Sequence, residues 1–229
     1  CGDGESREGQ IWEALDFIID HKLTAVRVIF NCNGQAQSDY VSPQQSVETM
    51  ERKLTAFGFD VKVIDGHKWE DVMDALTARP TDKPIAILAR TVKGWGVSEL
   101  QKHTYHGKPL TEEQVPAAIA ELDAKAAELG VAQGAEGAAA QIKIPDAKPM
   151  EYAGELTAGT FSEAMTAAGQ EKALGAKVFS TRRAYGVALA ALGADKRIVA
   201  TDGDVKNSTF ADMFAKKYPE RFFEARIAE

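Results

Sequence analysis

Cysteine is nearly absent from this chain. Only Cys1 and Cys32 occur, without Cys-x-x-Cys spacing, which excludes a disulfide framework, argues against a thiolate zinc site and fits a reducing compartment. Long hydrophobic runs are missing too. No stretch approaches the roughly 18–20 apolar residues of a spanning helix, and the opening Cys1-Gly2-Asp3-Gly4-Glu5 lacks the basic and apolar regions of a signal peptide. Nor is there an excess of positive charge. The 27 Lys and Arg against 34 Asp and Glu leave −7, the wrong sign for a protein whose main partner is nucleic acid or an anionic membrane. The expectation is a soluble, cytoplasmic protein that binds neither, with anionic small ligands still open.

What is present reads as globular. Hydrophobic residues make up 45% and charged residues 27% of 229 residues, enough for a packed core in one large domain or two. The chain begins without Met, inside what reads as the end of a strand, and stops just as a further α/β pattern starts. It is therefore read as a piece of a longer protein, inactive by itself.

Ile11, Trp12, Leu15, Ile18 and Ile19 recur at three- and four-residue steps and predict a helix over Glu8–Lys22. A β-rich run predicts a strand over Ala25–Phe30, followed by a helix from Pro43 to Ala56, a strand at Val61–Ile64, a helix from Trp69 to Ala78 and a strand at Ile85–Ala89. That alternation predicts α/β architecture, parallel sheets flanked by helices. An acidic helix spans Thr111–Gly130. From Gly130 to Ala176 the chain turns to Ala, Gly and Gln and reads as a linker, so residues 1–129, 130–176 and 177–229 are taken as domain, linker and second domain. Within the second domain a helix is expected at Thr181–Leu192, a strand at Arg197–Ala200, a helix at Thr209–Tyr218 and a strand at Phe222–Ala225.

The chemistry concentrates at Gly2-Asp3-Gly4. Glycines at a strand-to-helix turn let a ligand approach the backbone, and the helix N-terminus attracts phosphate. Asp between glycines is also an ordinary turn. The added signal is Asn33, thirty residues on at the C-terminal edge of the next strand, where open parallel sheets bind ligands. Asp3, the Asn33 amide oxygen, a loop carbonyl and two phosphate oxygens make the hard oxygen shell that Mg²⁺ (or Ca²⁺) requires.

With these residues in place the chain resembles the thiamine diphosphate enzymes, whose motif is Gly-Asp-Gly followed by Asn about thirty residues later. Gly2-Asp3-Gly4-Glu5, Glu8 through Ala14, His106-Gly107-Lys108-Pro109-Leu110, Ser180-Thr181-Arg182, Asp202-Gly203-Asp204 with Ser208-Thr209, and Arg221 through Glu229 are similar to transketolases, in order. The resemblance implies the C-terminal part of a diphosphate-binding domain in 1–129, joined through the linker to the N-terminal part of a pyrimidine-binding domain in 177–229, both incomplete. It implies thiamine diphosphate and Mg²⁺ as cofactors, sugar phosphates as substrates, and a homodimer with active sites at its interface.

Carried over residue by residue, the resemblance makes Gly2, Asp3, Gly4, Asn33, Asp204 and Glu229 cofactor-binding positions. Asp3, Asn33 and the Gln35 carbonyl become metal ligands, with the side chain at Gln35 of little consequence. Glu229 becomes the carboxylate that favours the imino tautomer of the aminopyrimidine. Glu8 and Glu13 match a carboxylate network at the dimer interface, although acidic residues early in a helix also suit its dipole. His103 and His106 match loop histidines that touch the sugar, while three-residue spacing in a loop is also commonplace. Arg182 and Ser208 match phosphate-binding residues, with neighbouring Arg183 able to take the same role. Asp204 has an equally good reading as a turn or cap residue before Thr209. His21 and His67 show no partner pattern and are read as surface residues.

The reading is a transketolase of the pentose phosphate pathway. The Val92-Lys93-Gly94-Trp95-Gly96 loop departs from the commonest transketolase text. Together with Asn31-Cys32-Asn33 it also resembles the thiamine-dependent component of 2-oxo-acid dehydrogenases. A deoxyxylulose-phosphate synthase, or a non-catalytic subunit that retains the cofactor site, would carry the same Gly-Asp-Gly and Asn motif.

Overall fold

The protein is described by a computed structural model covering residues 1–37, 39–131 and 159–227. It divides into two compact units, Cys1–Asp146 and Ala147–Glu229. That division falls inside the 130–176 stretch read from composition as a linker.

The first unit is organised on one parallel sheet. Strands β1 (Arg27–Cys32), β2 (Asp60–Asp65) and β3 (Ile85–Arg90) lie in the order β1-β3-β2. Ile85 is opposite Arg27 on one side and Asp60 on the other. As the central strand, β3 is buried on both faces and reads as an unbroken apolar run, Ile85-Ala86-Ile87-Leu88. Its side chains alternate between two cores. Ala86 and Leu88 join Leu15 of helix α1 (Gly9–Asp20), Phe30, and Met50 and Leu54 of helix α2 (Val47–Phe57). Ile85 and Ile87 join Ile64 and Ala75, the latter on helix α3 (Trp69–Thr77). Full burial of each large aliphatic side chain contributes about 1.5–3 kcal/mol, so the strand that carries no site residue is the one that fixes the site's frame. Helix α2 begins where the Ser46 hydroxyl accepts from Thr49 N and ends at Gly58, whose φ of +113° closes the turn into β2.

β1 starts two residues later than expected and runs to Cys32. Val26 N donates to the Leu23 carbonyl, which keeps 23–26 in a turn, and the pairing of Cys32 with Arg90 extends the far end. The acidic helix is α4 (Val115–Glu128), shorter than its composition predicts because Thr111–Gln114 form a turn, with Gln114 N and Val115 N both donating to the Thr111 carbonyl.

The second unit carries α5 (Phe161–Ala167), α6 (Glu171–Ala176), α7 (Thr181–Leu192), α8 (Lys206–Thr209) and α9 (Asp212–Lys217), with parallel strands β4 (Ala200–Asp202) and β5 (Phe222–Glu224). Met165, Val187, Ala211 and Phe214 form its buried centre. β4 is displaced from the expected Arg197–Ala200 because Asp195 accepts from both the backbone and the guanidinium of Arg197, turning the chain there. The helix expected at Thr209–Tyr218 is interrupted at Phe210, φ +64°. Its cause is tertiary: a Cβ at Gly186 of α7 would fall 2.5 Å from the Phe210 Cβ, so α7 rests directly on that kink. Among the described residues, no helix is long and apolar enough to cross a membrane.

Candidate functional site

The two halves of the Gly-Asp-Gly and Asn signal meet at the C-terminal edge of β1. Gly2 forms a parallel bridge with Asn31, and Asp3 N donates to the Asn31 carbonyl at 3.1 Å. This places Asp3, 3% exposed, beneath the Asn33 loop. Its Oδ1 accepts from Gly4 N at 2.8 Å and its Oδ2 from Gly34 N at 2.6 Å. The Asp3 carbonyl accepts from the Ser6 hydroxyl at 2.6 Å and from the Gln45 amide, which also donates to the Gly4 carbonyl at 3.0 Å. Ser6 and Gln45 are themselves buried, and Gln45 is held in a capping box with Ser42 ahead of α2. Sequence reasoning missed both: Gln45 reaches Asp3 from 42 residues on, and Ser6, three residues away, is by type an ordinary polar residue.

On the other side, the Asn33 amide oxygen accepts from Gln35 N at 2.9 Å, an Asx turn that fixes the side chain. Gly34 takes φ +73°, and a Cβ there would meet nothing within 4 Å. A carboxylate offers about four lone-pair positions and an amide oxygen two, so both Asp3 and Asn33 keep acceptor capacity after these bonds. The Gln35 carbonyl accepts no hydrogen bond among the described residues. Among those residues, no group of three His, Cys, Asp or Glu side chains forms a metal cluster there. The donor set is thus one carboxylate, one amide oxygen and one carbonyl, the hard-oxygen set that suits Mg²⁺ or Ca²⁺ when phosphate supplies the rest. Cys32 is no part of it: burial, with the neighbouring Asp3 charge adding to it, pushes the thiol up to about 11.

One expectation about this loop is corrected. The Gln35 side chain is not inconsequential: its Nε2 donates to the Gln101 carbonyl at 2.8 Å, tying the Asn33 loop to the segment Ser98–Gln101. Tyr40, paired with Gln35 across the same hairpin, lays its ring 5.3 Å from His103. Two contacts therefore bring the His103 segment to the Asn33 loop. His106 is exposed, and its Nδ1 lies 3.0 Å from Lys93 Nζ. An ammonium has only donors, so Nδ1 accepts and the imidazole proton sits on Nε2.

His67 also departs from expectation. Its Nε2 accepts from Val92 N at 2.8 Å, and its ring stacks on Trp95 at 4.5 Å and 10°. His21 contacts the Phe17 ring at 4.3 Å. Both have partners that spacing alone did not reveal.

Glu8 occupies the N-cap position of α1 without a side-chain cap, and Glu13 is exposed on the same helix. In the second unit, Arg182 is exposed in the first turn of α7, 5.8 Å from the Phe210 ring, and Arg183 lies closer at 4.6 Å. Ser208 is exposed on α8. Asp204 adopts φ +77° and donates its backbone N–H to Glu224 Oε1 at 2.9 Å. Asp204 thus sits in the turn before the Lys206–Thr209 helix without a side-chain cap bond, while Asp202 Oδ1 accepts from Val205 N at 2.6 Å and Oδ2 from the Thr209 hydroxyl at 3.4 Å. Glu229 lies outside the described residues.

Residues 1–174 match the family model described as "Transketolase, thiamine diphosphate binding domain". The chain belongs to this family. Transketolases of rat and human are each 36% identical over the whole chain, and mouse transketolase-like protein 2 is 33% identical. The chain spans about a third of these relatives, 34% of each. The crystal structure of Campylobacter jejuni transketolase superposes on all of it with a TM-score of 0.67 at 22% identity, covering 38% of that chain. Transketolase from Leishmania mexicana gives 0.55 at 17% identity. The structural likeness shows that the α/β fold expected from the sequence is the transketolase fold.

Proposed function

We propose that this transketolase-family chain forms part of an enzyme that moves a two-carbon ketol unit from a ketose phosphate to an aldose phosphate, in the pentose phosphate pathway of the cytoplasm. The observation that carries the reading is the 2.6 Å bond from Gly34 N to Asp3 Oδ2, which joins both halves of the motif at one strand edge.

In this reading Asp3, Asn33 and the Gln35 carbonyl hold Mg²⁺ or Ca²⁺. Gly2 and Gly34 leave backbone open to a diphosphate, since a Cβ at either would find nothing nearer than 4.0 Å, whereas one at Gly4 would meet Ala36 Cα at 3.6 Å. Bound there, thiamine diphosphate supplies a nucleophilic thiazolium carbon. The residues do the rest. The cation, held by Asp3, would offset the diphosphate charge, which backbone dipoles alone leave incompletely neutralised. Glu229 hydrogen-bonds the pyrimidine ring and supports its proton-accepting tautomer, with Asp204 near the cofactor. His106, with its proton on Nε2, donates to a substrate oxygen, and His103 contacts the sugar beside it. Arg182 and Ser208 bind the sugar's phosphate, for which a planar guanidinium is suited.

Residues 1–129 and 177–229 are the diphosphate and pyrimidine parts, with 130–176 between them. The two parts serve one cofactor across a homodimer, with Glu8 and Glu13 at the twofold interface. The test is turnover by the whole protein that contains this chain, with pentose phosphates as donor and acceptor against pyruvate as donor. Ketol transfer between the sugar phosphates supports the reading. Preference for pyruvate replaces it with a 2-oxo-acid enzyme, and cofactor binding without turnover replaces it with a non-catalytic subunit.

A further inference from the structure

His67 sits in the turn that follows β2, and the turn is fixed from three directions. Gly66 N donates to the Arg90 carbonyl at 2.8 Å, joining the turn to the end of β3. A Cβ at Gly66 would come within 2.6 Å of Thr91 Cγ2 and 3.0 Å of the Arg90 carbonyl oxygen, so only glycine allows this approach. His67 N donates to Asp65 Oδ1 at 2.9 Å. The imidazole is thereby aimed at the chain leaving β3, where it accepts from Val92 N at 2.8 Å and stacks face to face on Trp95. Because Nε2 accepts, the ring proton sits on Nδ1 and the imidazole works as a neutral acceptor.

The segment it grips leads to the site. Lys93 follows Val92 and reaches His106 Nδ1. Gly94, φ +72°, lies against the Leu100 carbonyl, 2.5 Å from its carbon for a Cβ placed there. Trp95 is bounded on another side by Lys125 of α4, whose Nζ lies 5.7 Å from its ring. Ser98 is anchored to the same helix, its N and Oγ donating to Glu121 at 2.6 and 2.8 Å. The loop 92–98 is held by α4 at its far end and by His67 at its near end, with Lys93 between them.

We infer that His67 is a positioning residue: it holds the loop 92–96 through the Val92 N–H and the Trp95 ring, and through Lys93 it orients His106. The inference rests on the proposed role of His106 toward the substrate. A displacement of about 1 Å in a positioned group is enough to lower turnover by a factor on the order of 100, so a grip this local has a kinetic consequence.

Two substitutions separate the hydrogen bond from the ring. His67→Phe keeps a flat ring against Trp95 and loses the acceptor. His67→Gln loses the ring and places an amide oxygen near the former Nε2. Hydrogen exchange at Val92 is followed by mass spectrometry in the whole protein, beside kcat, KM and cofactor affinity. His67→Phe is expected to speed Val92 exchange by about 10-fold, the loss of one net hydrogen bond. It should also lower kcat by at least about 10-fold with cofactor affinity unchanged. His67→Gln is expected to restore slow exchange and most of kcat. Lys93→Met is expected to lower kcat while leaving Val92 exchange slow. Unchanged Val92 exchange in His67→Phe, or exchange in His67→Gln as fast as in His67→Phe, overturns the inference. Wild-type turnover by His106→Ala overturns the reading beneath it, and is recognised because it leaves the Val92 result untouched.

Discussion

Asp3→Asn separates what Asp3 does for the fold from what it does for a ligand. The carboxylate is 3% exposed and accepts one backbone N–H on each oxygen, Gly4 at 2.8 Å and Gly34 at 2.6 Å. An amide of the same shape has one oxygen, so whichever way it turns, an NH₂ faces a backbone N–H. One buried donor then loses its partner and the surviving bond loses its charge. Leaving a buried donor unsatisfied costs roughly 1–3 kcal/mol, and about 2 is expected. All three tryptophans, Trp12, Trp69 and Trp95, belong to the Cys1–Asp146 unit, so their fluorescence in urea follows that unit. With a slope of about 2 kcal/mol per molar, the midpoint should fall by about 1 M without any cofactor. Calorimetry with thiamine diphosphate and Mg²⁺ then reads the second role. Loss of the one charged side chain in the proposed ligand set should weaken binding at least about 100-fold, or about 2.7 kcal/mol. An unchanged urea midpoint would refute the two-bond geometry. Unchanged affinity would remove Asp3 from the cofactor site whatever the midpoint did.

If Arg182 has the proposed role, Arg182→Ala should raise KM for phosphorylated sugars about 10-fold or more and spare cofactor affinity, through loss of a charge-assisted phosphate contact. Steady-state kinetics with phosphorylated and unphosphorylated donors check this, and equal effects on both refute it. Gly94→Ala should cost at least about 2 kcal/mol, since the residue has φ +72° and its Cβ would strike the Leu100 carbonyl. The same tryptophan-monitored urea titration reports it. For Asp195 the Arg197 guanidinium, reinforced by the Arg197 N–H, lowers the carboxyl from 3.8 to about 2. A lowered pKa stabilises the fold above 3.8 and loses that contribution as pH falls through about 2. Carboxyl chemical shifts should therefore show Asp195 titrating near 2, and Arg197→Ala should move the midpoint up toward the ordinary aspartate range.

The parts of the fold legible in the sequence are those set by local pattern and burial. Thr181–Leu192 forms the helix that its small and apolar residues predict, and the apolar run expected as a strand over Ile85–Ala89 is β3. What was hidden depends on partners distant in sequence. Phe210 breaks a helical pattern because Gly186 admits α7 onto its backbone, and the turn at Asp204 is held by a bond from its N–H to Glu224, twenty residues on. The cofactor motif is legible as spacing, yet its supports are not. Ser6 and Gln45 hold the Asp3 carbonyl, and nothing in their surroundings along the chain distinguishes them from ordinary polar residues.

Asp3, Asn33 and the His103 segment share a mode of attachment, whereas His106 meets the Lys93 side chain. Asp3 is fixed by Gly4 N and Gly34 N, Asn33 by Gln35 N, and the His103 segment by the Gln35 amide on the Gln101 carbonyl. In each case a side chain is tied to backbone, and no bond runs directly from one proposed ligand side chain to another among the described residues. Backbone attachment leaves the remaining lone pairs of Asp3 and Asn33 uncommitted, so a cation placed between them would not need to break an existing side-chain pair. It also makes the site hierarchical. Damage to Gln35 should disturb the His103 segment while Asp3 keeps both of its bonds, whereas damage to Asp3 should loosen Gly34 and, through the Asn33 turn, everything that Gln35 carries. The chain thus orders its contacts from Asp3 and the proposed cation position outward to the His103 segment.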